Sequence, residues 1–195
     1  CNAMGSRAFS NTAGLYGGGD FDNPKRREAV SKALGIDEKW LPQAPTITYN
    51  AIIEKAISGE IKALWICCTN PRHSWVNNET FKKAIENLEL FIAQDIYDDT
   101  DSSEICSVYF PVTSGLYKEG VIINTERRLS KLRPVLTDKK GKLTDYEVFY
   151  KIGEALGMGD LLKGWETPKD AFELMKKCSK GMPCDISGVD YDALN

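Results

Sequence analysis

The segment Ile61-Lys62-Ala63-Leu64-Trp65-Ile66-Cys67-Cys68 is an apolar run that leads directly into Thr69-Asn70-Pro71. Its apolar residues do not alternate with polar ones, which is typical of a strand covered on both faces of a parallel sheet. Just before it, the apolar residues between positions 49 and 57 fall on one helical face, and Gly59 follows as a stop. The sequence therefore predicts a helix followed by a central parallel strand.

The same unit repeats further along the chain. Residues 78–88 have helical periodicity, residues 90–93 form a second apolar run that ends in Gln94-Asp95, and Val108-Tyr109-Phe110 is a third strand candidate. Strands separated by helices of about ten residues predict an α/β fold with a Rossmann-like, doubly wound, mostly parallel sheet flanked by helices. Ligands bind off the carboxyl ends of such strands, so the loops after Cys68 and after Ala93 are the first places to expect a site.

The two ends of the chain differ from this middle part. Residues 1–22 are rich in Gly, Asn and Ser and have no helical or strand period, so we predict an irregular loop there, with Gly17-Gly18-Gly19 as a turn. The C-terminal third is predicted to be helical, because Thr144 and Glu147 form a capping-box pattern and Thr167-Pro168 begins a second helix. We expect a loop extension over residues 1–22 and a single α/β domain over 23–195.

Composition limits the classes of function. The chain has 195 residues, of which 42% are hydrophobic and 27% charged, and its formal net charge of -3 gives no broad positive field for nucleic acid. No apolar run approaches the roughly 20 residues of a membrane span. The six cysteines include no C-x-x-C pair, so neither a zinc nor an iron–sulfur site is indicated. Unpaired cysteines favour a reducing compartment, and together with the family resemblance described below they lead us to expect the protein in the cytoplasm.

Two of the predicted strand ends carry polar side chains that are suited to a nucleotide. Asn70 follows the first strand, although Asn-Pro is also an ordinary turn. Asp95 ends the second strand, and a carboxylate there matches the N1–H and exocyclic amine of guanine, which adenine does not offer. A carboxylate that caps the next helix is the alternative.

Two basic residues suit anionic groups. Lys118 precedes the short apolar strand Val121-Ile122-Ile123 and could neutralise a pyrophosphate as a compact charge, although a surface salt bridge is the common outcome. Arg7 lies in a polar loop and could bind a small oxyanion through its planar fork of donors, although a surface arginine is the default. His73 is the only histidine, and no nucleophile and base can be assembled around it.

Taken together, four segments resemble one ordered set from the molybdopterin oxidoreductases, and the assimilatory and periplasmic nitrate reductases are the nearest match. The resemblance extends over almost the whole chain, down to Ser179-Lys180-Gly181. The four segments are Cys1-Asn2-Ala3-Met4-Gly5-Ser6-Arg7, residues 61–71, residues 91–95, and Lys118-Glu119-Gly120 through Glu126-Arg127-Arg128.

The resemblance implies an internal fragment of a larger enzyme that reduces nitrate to nitrite with two electrons. It implies two molybdopterin guanine dinucleotides around one molybdenum, of which this α/β domain contacts one. It also implies an N-terminal [4Fe–4S] cluster outside this chain, and the molybdenum ligand is outside it as well. The isolated chain is therefore expected to be inactive, with no catalytic or metal-ligating residue of its own.

Site residues follow from the resemblance position by position. Arg7 matches an arginine of the substrate funnel in nitrate reductases. The positions that match cofactor contacts are Asn70, Gln94, Asp95, Lys118 and Asp145.

Substrate and partners are less determined by the sequence. The acidic run from Asp95 to Glu104 and the segment Tyr109-Phe110-Pro111-Val112-Thr113 depart from the family pattern. A formate dehydrogenase-like enzyme is therefore an alternative, because such enzymes share the cofactor-binding parts. A stand-alone nucleotide-binding module without redox activity is a second alternative. The partners expected are the remainder of the parent chain, nitrate, and an electron donor protein or subunit.

Overall fold

The computed structural model describes residues 2–10 and 13–194, so Cys1 of the first resembling segment lies outside the described residues. The strands are β1 (Ala63–Cys67), β2 (Leu90–Asp95), β3 (Val108–Pro111), β4 (Gly120–Ile123) and β5 (Leu129–Leu132). The α-helices are α1 (Ala3–Ala8), α2 (Pro24–Leu34), α3 (Tyr49–Ile57), α4 (Pro71–Ser74), α5 (Asn78–Glu86), α6 (Asp101–Ile105), α7 (Asp145–Ala155) and α8 (Pro168–Ser179). Short 3-10 helices lie at Glu38–Trp40, Gly115–Tyr117 and Gly159–Leu162.

The chain divides into two compact units. The sheet unit comprises Ile47–Tyr117 and Leu136–Phe149, and the hairpin unit comprises the chain up to Thr46, Lys118–Val135 and the chain from Tyr150 onward. The domain organisation expected from the sequence, a loop over residues 1–22 and one domain over 23–195, stays a prediction. Along the described residues, no helix is long and apolar enough to cross a membrane.

The sheet unit is built on a parallel sheet in the order β1-β2-β3. Residues Ala63 to Cys67 pair in register with Leu90 to Gln94, and Ile92 to Asp95 pair with Val108 to Pro111. The predicted α/β fold, with a parallel sheet and flanking helices, is confirmed. A helix follows each of the first two strands, as a parallel connection requires.

The position of the first strand was predicted wrongly. β1 lies at an edge of the three strands described, and β2 holds the central place. The cause is the direction of the two connections, from β1 to β2 and from β2 to β3. Both move the chain the same way across the sheet, so β1 has a neighbouring strand on one side only. A continuous apolar run indicates cover on both faces and carries no information about lateral neighbours.

Each face of this sheet has its own cover. On one face, Ile66 of β1 and Phe91 of β2 pack with Ile53 of α3 and Phe81 of α5 in a single buried cluster. On the other face, the Trp65 ring lies 4.8 Å from that of Phe149, measured between centroids. Because side chains alternate along a strand, the residues between the clustered ones, including Gln94, belong to this second face.

The hairpin unit contains the antiparallel pair of β4 and β5 and the long helix α8. Ile123 of β4 packs with Phe172 of α8 and with the fully buried ring of Tyr191. The Tyr191 hydroxyl donates a hydrogen bond of 2.7 Å to Glu119. The helical C-terminal part of the prediction is confirmed: α8 begins at a capping box in which Thr167 and Asp170 bond reciprocally.

The loop predicted over residues 1–22 is partly wrong, because residues Ala3 to Ala8 form helix α1. This helix has only six residues, too few for a hydrophobic period to be visible in the sequence. Its cap residue Asn2 makes no side-chain cap hydrogen bond, and its Oδ1 accepts one from the backbone N–H of Ile123 instead. The helix is therefore held by a strand that lies far away in the sequence.

The triglycine turn is held by a buried charge. Gly17, Gly18 and Gly19 all have positive φ, and a Cβ on Gly17 would lie 2.6 Å from the backbone of Cys178. Arg26 of α2 is 8% exposed, and its guanidinium donates to the carbonyl oxygens of Gly18 at 2.6 Å, Tyr16 at 2.9 Å and Cys178 at 2.5 Å. The turn is thus a fixed part of the hairpin unit.

We expect Arg26→Ala to lower the free energy of unfolding by about 2–3 kcal/mol, because three carbonyl oxygens lose a charged donor in a buried place. Urea denaturation measures the effect. The matched control is Lys25→Ala, which changes an exposed cation on the same helix and should stay within about 0.5 kcal/mol of the parent protein. An equal decrease in the free energy of unfolding of the two variants would contradict the role of Arg26 in stabilising this turn.

Candidate functional site

The centre of the candidate site is Gln94, which lies near the carboxyl end of the middle strand β2. Its side chain is 1% exposed, and its Nε2 donates a hydrogen bond of 2.8 Å to Oδ1 of Asp145. Its Oε1 is buried and has no hydrogen-bond partner among the described residues. A buried amide oxygen without a donor is costly, and this atom keeps its capacity to accept a hydrogen bond.

Asp145 is positioned by the return of the chain to the sheet. Leu143 forms a parallel bridge with Val112, just beyond β3, and its carbonyl accepts from the N–H of Thr113 at 2.9 Å. Asp145 is the first residue of α7. The bridge therefore sets the start of this helix at the end of the sheet where the parallel strands have their carboxyl ends, which we call the carboxyl edge. The same Oδ1 that binds Gln94 accepts from Sγ of Cys68 at 3.4 Å.

The capping box predicted at this helix is confirmed. The N–H of Thr144 donates to Glu147 Oε2 at 2.7 Å, and the N–H of Glu147 donates to Oγ1 of Thr144 at 3.2 Å. Lys139 donates to the other carboxylate oxygen at 2.6 Å. Burial by itself would raise the pKa of Glu147, but the hydrogen bonds from Lys139 and Thr144 outweigh it and lower the pKa. The helix start that carries Asp145 is therefore well held at neutral pH.

Asn70 fastens the loop after β1 to the start of α6. Its Oδ1 accepts from the N–H of Ser102 at 3.1 Å and from the Ser102 hydroxyl at 2.7 Å. Its Nδ2 donates to Asp101 at 3.1 Å. The side chain thus has an internal structural role, whatever it binds in addition.

Asp95 ends β2, as predicted, and it does not cap the next helix. Its Oδ1 accepts from the N–H groups of Ile96 at 2.7 Å and Tyr97 at 3.2 Å, whereas α6 is capped by Thr100. The hydroxyl of Tyr109 donates to the Asp95 carbonyl at 2.8 Å. Burial, with the charges of Asp95 and neighbouring carboxylates, raises the pKa of Tyr109 to about 12. This tyrosine remains a hydrogen-bond donor throughout the physiological range.

Four of the six site residues predicted from the sequence lie in the sheet unit: Asn70, Gln94, Asp95 and Asp145. Gln94 and Asp145 are directly bonded, and the N–H of Cys68 donates to the Gln94 carbonyl at 2.7 Å, so the loop toward Asn70 begins beside them. The remaining two, Lys118 and Arg7, lie in the hairpin unit.

Of these two basic residues, Lys118 is half-buried before β4, and Arg7 is exposed in the last turn of α1. A role in binding stays a prediction for all six site residues.

Two residues of this edge were not found from the sequence. Thr113 follows β3, is 3% exposed, and has a hydroxyl without a hydrogen-bond partner among the described residues. Its position two residues beyond the end of a strand was the signal that could have indicated it. Cys68 has a φ of 53°, in the left-handed region, and no sequence pattern announces such a conformation for cysteine. Within residues 2–10 and 13–194, no group of three or more His, Cys, Asp or Glu side chains is placed to hold a metal ion.

Comparison with known proteins gives a consistent result. The family model of the molybdopterin oxidoreductases matches residues 8–155. The chain is 30% identical over 195 residues to the assimilatory nitrate reductase catalytic subunit of Bacillus subtilis strain 168, covering 99% of this chain and 27% of that protein. It is 26% identical over 135 residues to F420-dependent formate dehydrogenase 1 subunit alpha of Methanococcus maripaludis, covering 69% of this chain and 19% of that protein.

A solved structure shares the fold. Acetylene hydratase from Pelobacter acetylenicus superposes with a TM-score of 0.59 at 12% identity, covering 88% of this chain and 24% of that one. At this identity the likeness concerns the fold alone. The chain spans about a quarter or less of the length of the proteins that it matches.

The contacts of Asn70 give a test that does not depend on any ligand. Asn70→Ala should speed hydrogen exchange at the Ser102 amide roughly ten- to a hundredfold, because that N–H and the Ser102 hydroxyl lose their acceptor. Exchange measured by NMR or mass spectrometry reports the change. Asn50→Ala, at an exposed position of α3, is the control and should leave the Ser102 amide unchanged. Unaltered protection of Ser102 in the Asn70 variant would contradict the fastening role.

Proposed function

Since the chain belongs to the molybdopterin oxidoreductase family, we propose that it holds one molybdopterin guanine dinucleotide of a nitrate-reducing molybdenum enzyme. The observation that carries the proposal is the buried Oε1 of Gln94, which lies beside Asp145 at the carboxyl edge of a parallel sheet and has no hydrogen-bond partner within residues 2–10 and 13–194. Open α/β sheets bind nucleotides at this edge. The likeness to nitrate reductases supports the choice of reaction.

The residues present fit such a dinucleotide. Guanine offers two neighbouring N–H donors, the N1–H and the exocyclic amine, which match the two oxygens of a carboxylate such as Asp95. The amide oxygen of Gln94 would be a separate acceptor for the dinucleotide, because adjacent side chains of a strand point to opposite faces. Oδ1 of Asp95 is engaged by two backbone N–H groups, but a carboxylate has about four acceptor positions over its two oxygens, so capacity remains for the base. Asn70 and Asp145 hold the loop and the helix start on either side. When bound, the cofactor supplies the molybdenum at which nitrate is reduced to nitrite.

The two basic residues of the hairpin unit complete the proposal. Lys118 would neutralise the pyrophosphate, for which a compact ammonium is suitable. The exposed guanidinium of Arg7 would contact nitrate in the substrate funnel, since its planar fork matches a planar oxyanion. Both assignments rest on the family resemblance, because neither side chain belongs to the sheet unit.

A formate dehydrogenase-like activity is the second candidate, and the likeness to the Methanococcus maripaludis protein favours it. The cofactor edge would serve both reactions, so it does not distinguish them. Assaying the complete protein with nitrate and a reduced dye, and separately with formate and an oxidised dye, distinguishes the two. Turnover of nitrate alone is expected.

The rest of the enzyme is also part of the proposal. The [4Fe–4S] cluster, the molybdenum ligand and the second pterin are expected in the remainder of the parent chain, together with an electron donor that delivers two electrons. The chain by itself is therefore expected to reduce no nitrate. A cytoplasmic location is part of the same proposal, and the likeness to assimilatory enzymes supports it.

The guanine assignment is tested at Asp95. In the complete enzyme, Asp95→Asn keeps the Oδ1 acceptor of the turn but places an NH₂ donor where guanine presents a donor. A mispaired buried polar group costs about 1–3 kcal/mol, so cofactor retention should fall roughly ten- to a hundredfold. Guanine nucleotide released on denaturation, counted per protein, measures retention.

The matched controls are Asp98→Asn and Asp99→Asn, which remove the same charge from exposed positions of the adjoining acidic run. Both should retain the cofactor like the parent enzyme. Full cofactor content in the Asp95 variant would remove the guanine-reading role and leave Asp95 as the residue that shapes its own turn.

A further inference from the structure

Two cysteines are neighbours at the carboxyl end of β1. Cys67 is the last residue of the strand and is half-buried, whereas Cys68 is exposed. In a fully extended strand, successive side chains point to opposite faces, so adjacent thiols are kept apart. Cys68 does not continue the strand, because its φ is 53°. Rotation to a positive φ carries its Cβ to the side on which Cys67 projects.

The surroundings of the two sulfurs agree with this geometry. Sγ of Cys68 donates to Oδ1 of Asp145 at 3.4 Å. Burial raises the pKa of Cys67, and the negative charge of the same Asp145 raises it further. Both thiols therefore lie near one carboxylate, on the face of the sheet that carries the start of α7.

We propose that Cys67 and Cys68 form a redox-sensitive dithiol, which a small disulfide such as oxidised glutathione converts into an intramolecular disulfide. Cys68 reacts first, because it is exposed and Cys67 is not. Its thiolate attacks one sulfur of the reagent, the reagent S–S bond breaks, a mixed disulfide forms at Cys68, and one glutathione thiol leaves with the proton that Cys68 lost.

Cys67 then resolves the mixed disulfide. Its thiolate attacks the sulfur of Cys68, the bond between Cys68 and glutathione breaks, and the second glutathione leaves with the proton of Cys67. Two protein thiols are oxidised, and one disulfide is reduced to two thiols. The chemistry needs neither metal nor cofactor, so it is independent of the proposed function.

The disulfide between Cys67 and Cys68 is suited to reversible oxidation and not to permanent stabilisation of the fold. The Cα atoms of neighbouring residues are about 3.8 Å apart across a trans peptide bond, below the roughly 4.4–6.8 Å that unstrained disulfides span. Strained disulfides are the easily reduced ones. Closing the bond also removes the thiol hydrogen that Cys68 donates to Asp145, so oxidation alters the carboxylate that holds Gln94.

The test treats the folded complete protein with excess oxidised glutathione and follows the peptide that contains residues 67 and 68 by mass spectrometry. In the parent protein this peptide should lose two hydrogens and carry no lasting glutathione. Cys67→Ser should instead accumulate one glutathionyl group on Cys68. Cys68→Ser should be modified at Cys67 at least tenfold more slowly. Dithiothreitol should restore each starting mass.

Cys106→Ser is the matched control, because Cys106 is half-buried and lies outside the pair, and it should behave like the parent protein. Circular dichroism checks that each serine variant is folded. Lasting glutathione on Cys68 in the parent protein, at the level of the Cys67 variant, would overturn the proposal. So would a disulfide between either residue and a different cysteine of the chain.

Discussion

A hydrogen bond between two residues 51 positions apart, Gln94 and Asp145, organises the carboxyl edge of the sheet. Gln94 lies on the middle strand and is almost completely buried, so its amide must find partners inside the protein. Asp145 satisfies only the Nε2 side. The bond therefore joins β2 to the start of α7, while Oε1 stays a buried acceptor to which no group in the described part of the chain donates. A site that is both rigidly held and incompletely satisfied is well prepared for a ligand.

Two other side chains at the carboxyl edge are also held in place by hydrogen bonds while part of their hydrogen-bonding capacity stays unused. Asn70 and Asp95 bond to neighbouring backbone and side-chain groups, so each shapes its own loop before any ligand is present. Only part of their hydrogen-bonding capacity is consumed. The proposed cofactor would thus meet side chains whose positions are already fixed, which limits the conformational entropy lost on binding.

Local signals in the sequence predict the elements well. Capping residues mark the starts of α7 and α8 correctly, and apolar runs mark β1 and β2, because these signals depend on neighbours within a few positions. Features that depend on distant residues were missed. The edge position of β1, helix α1 anchored by a strand, and the fixing of the triglycine turn by Arg26 all depend on contacts that no local pattern encodes. The family resemblance brought Gln94 and Asp145 into one candidate set, but their direct bond is visible only in the fold.

The most direct measurement of the account is hydrogen exchange on the complete enzyme, compared between the cofactor-loaded and the cofactor-free forms. If the carboxyl edge holds the dinucleotide, amides of residues 68–70 and 94–97 should exchange more slowly in the loaded form. Amides at the amino ends of the same strands, residues 61–63 and 89–90, should be unchanged. Protection that is absent from the carboxyl edge, or equal at both ends of the strands, would contradict the account.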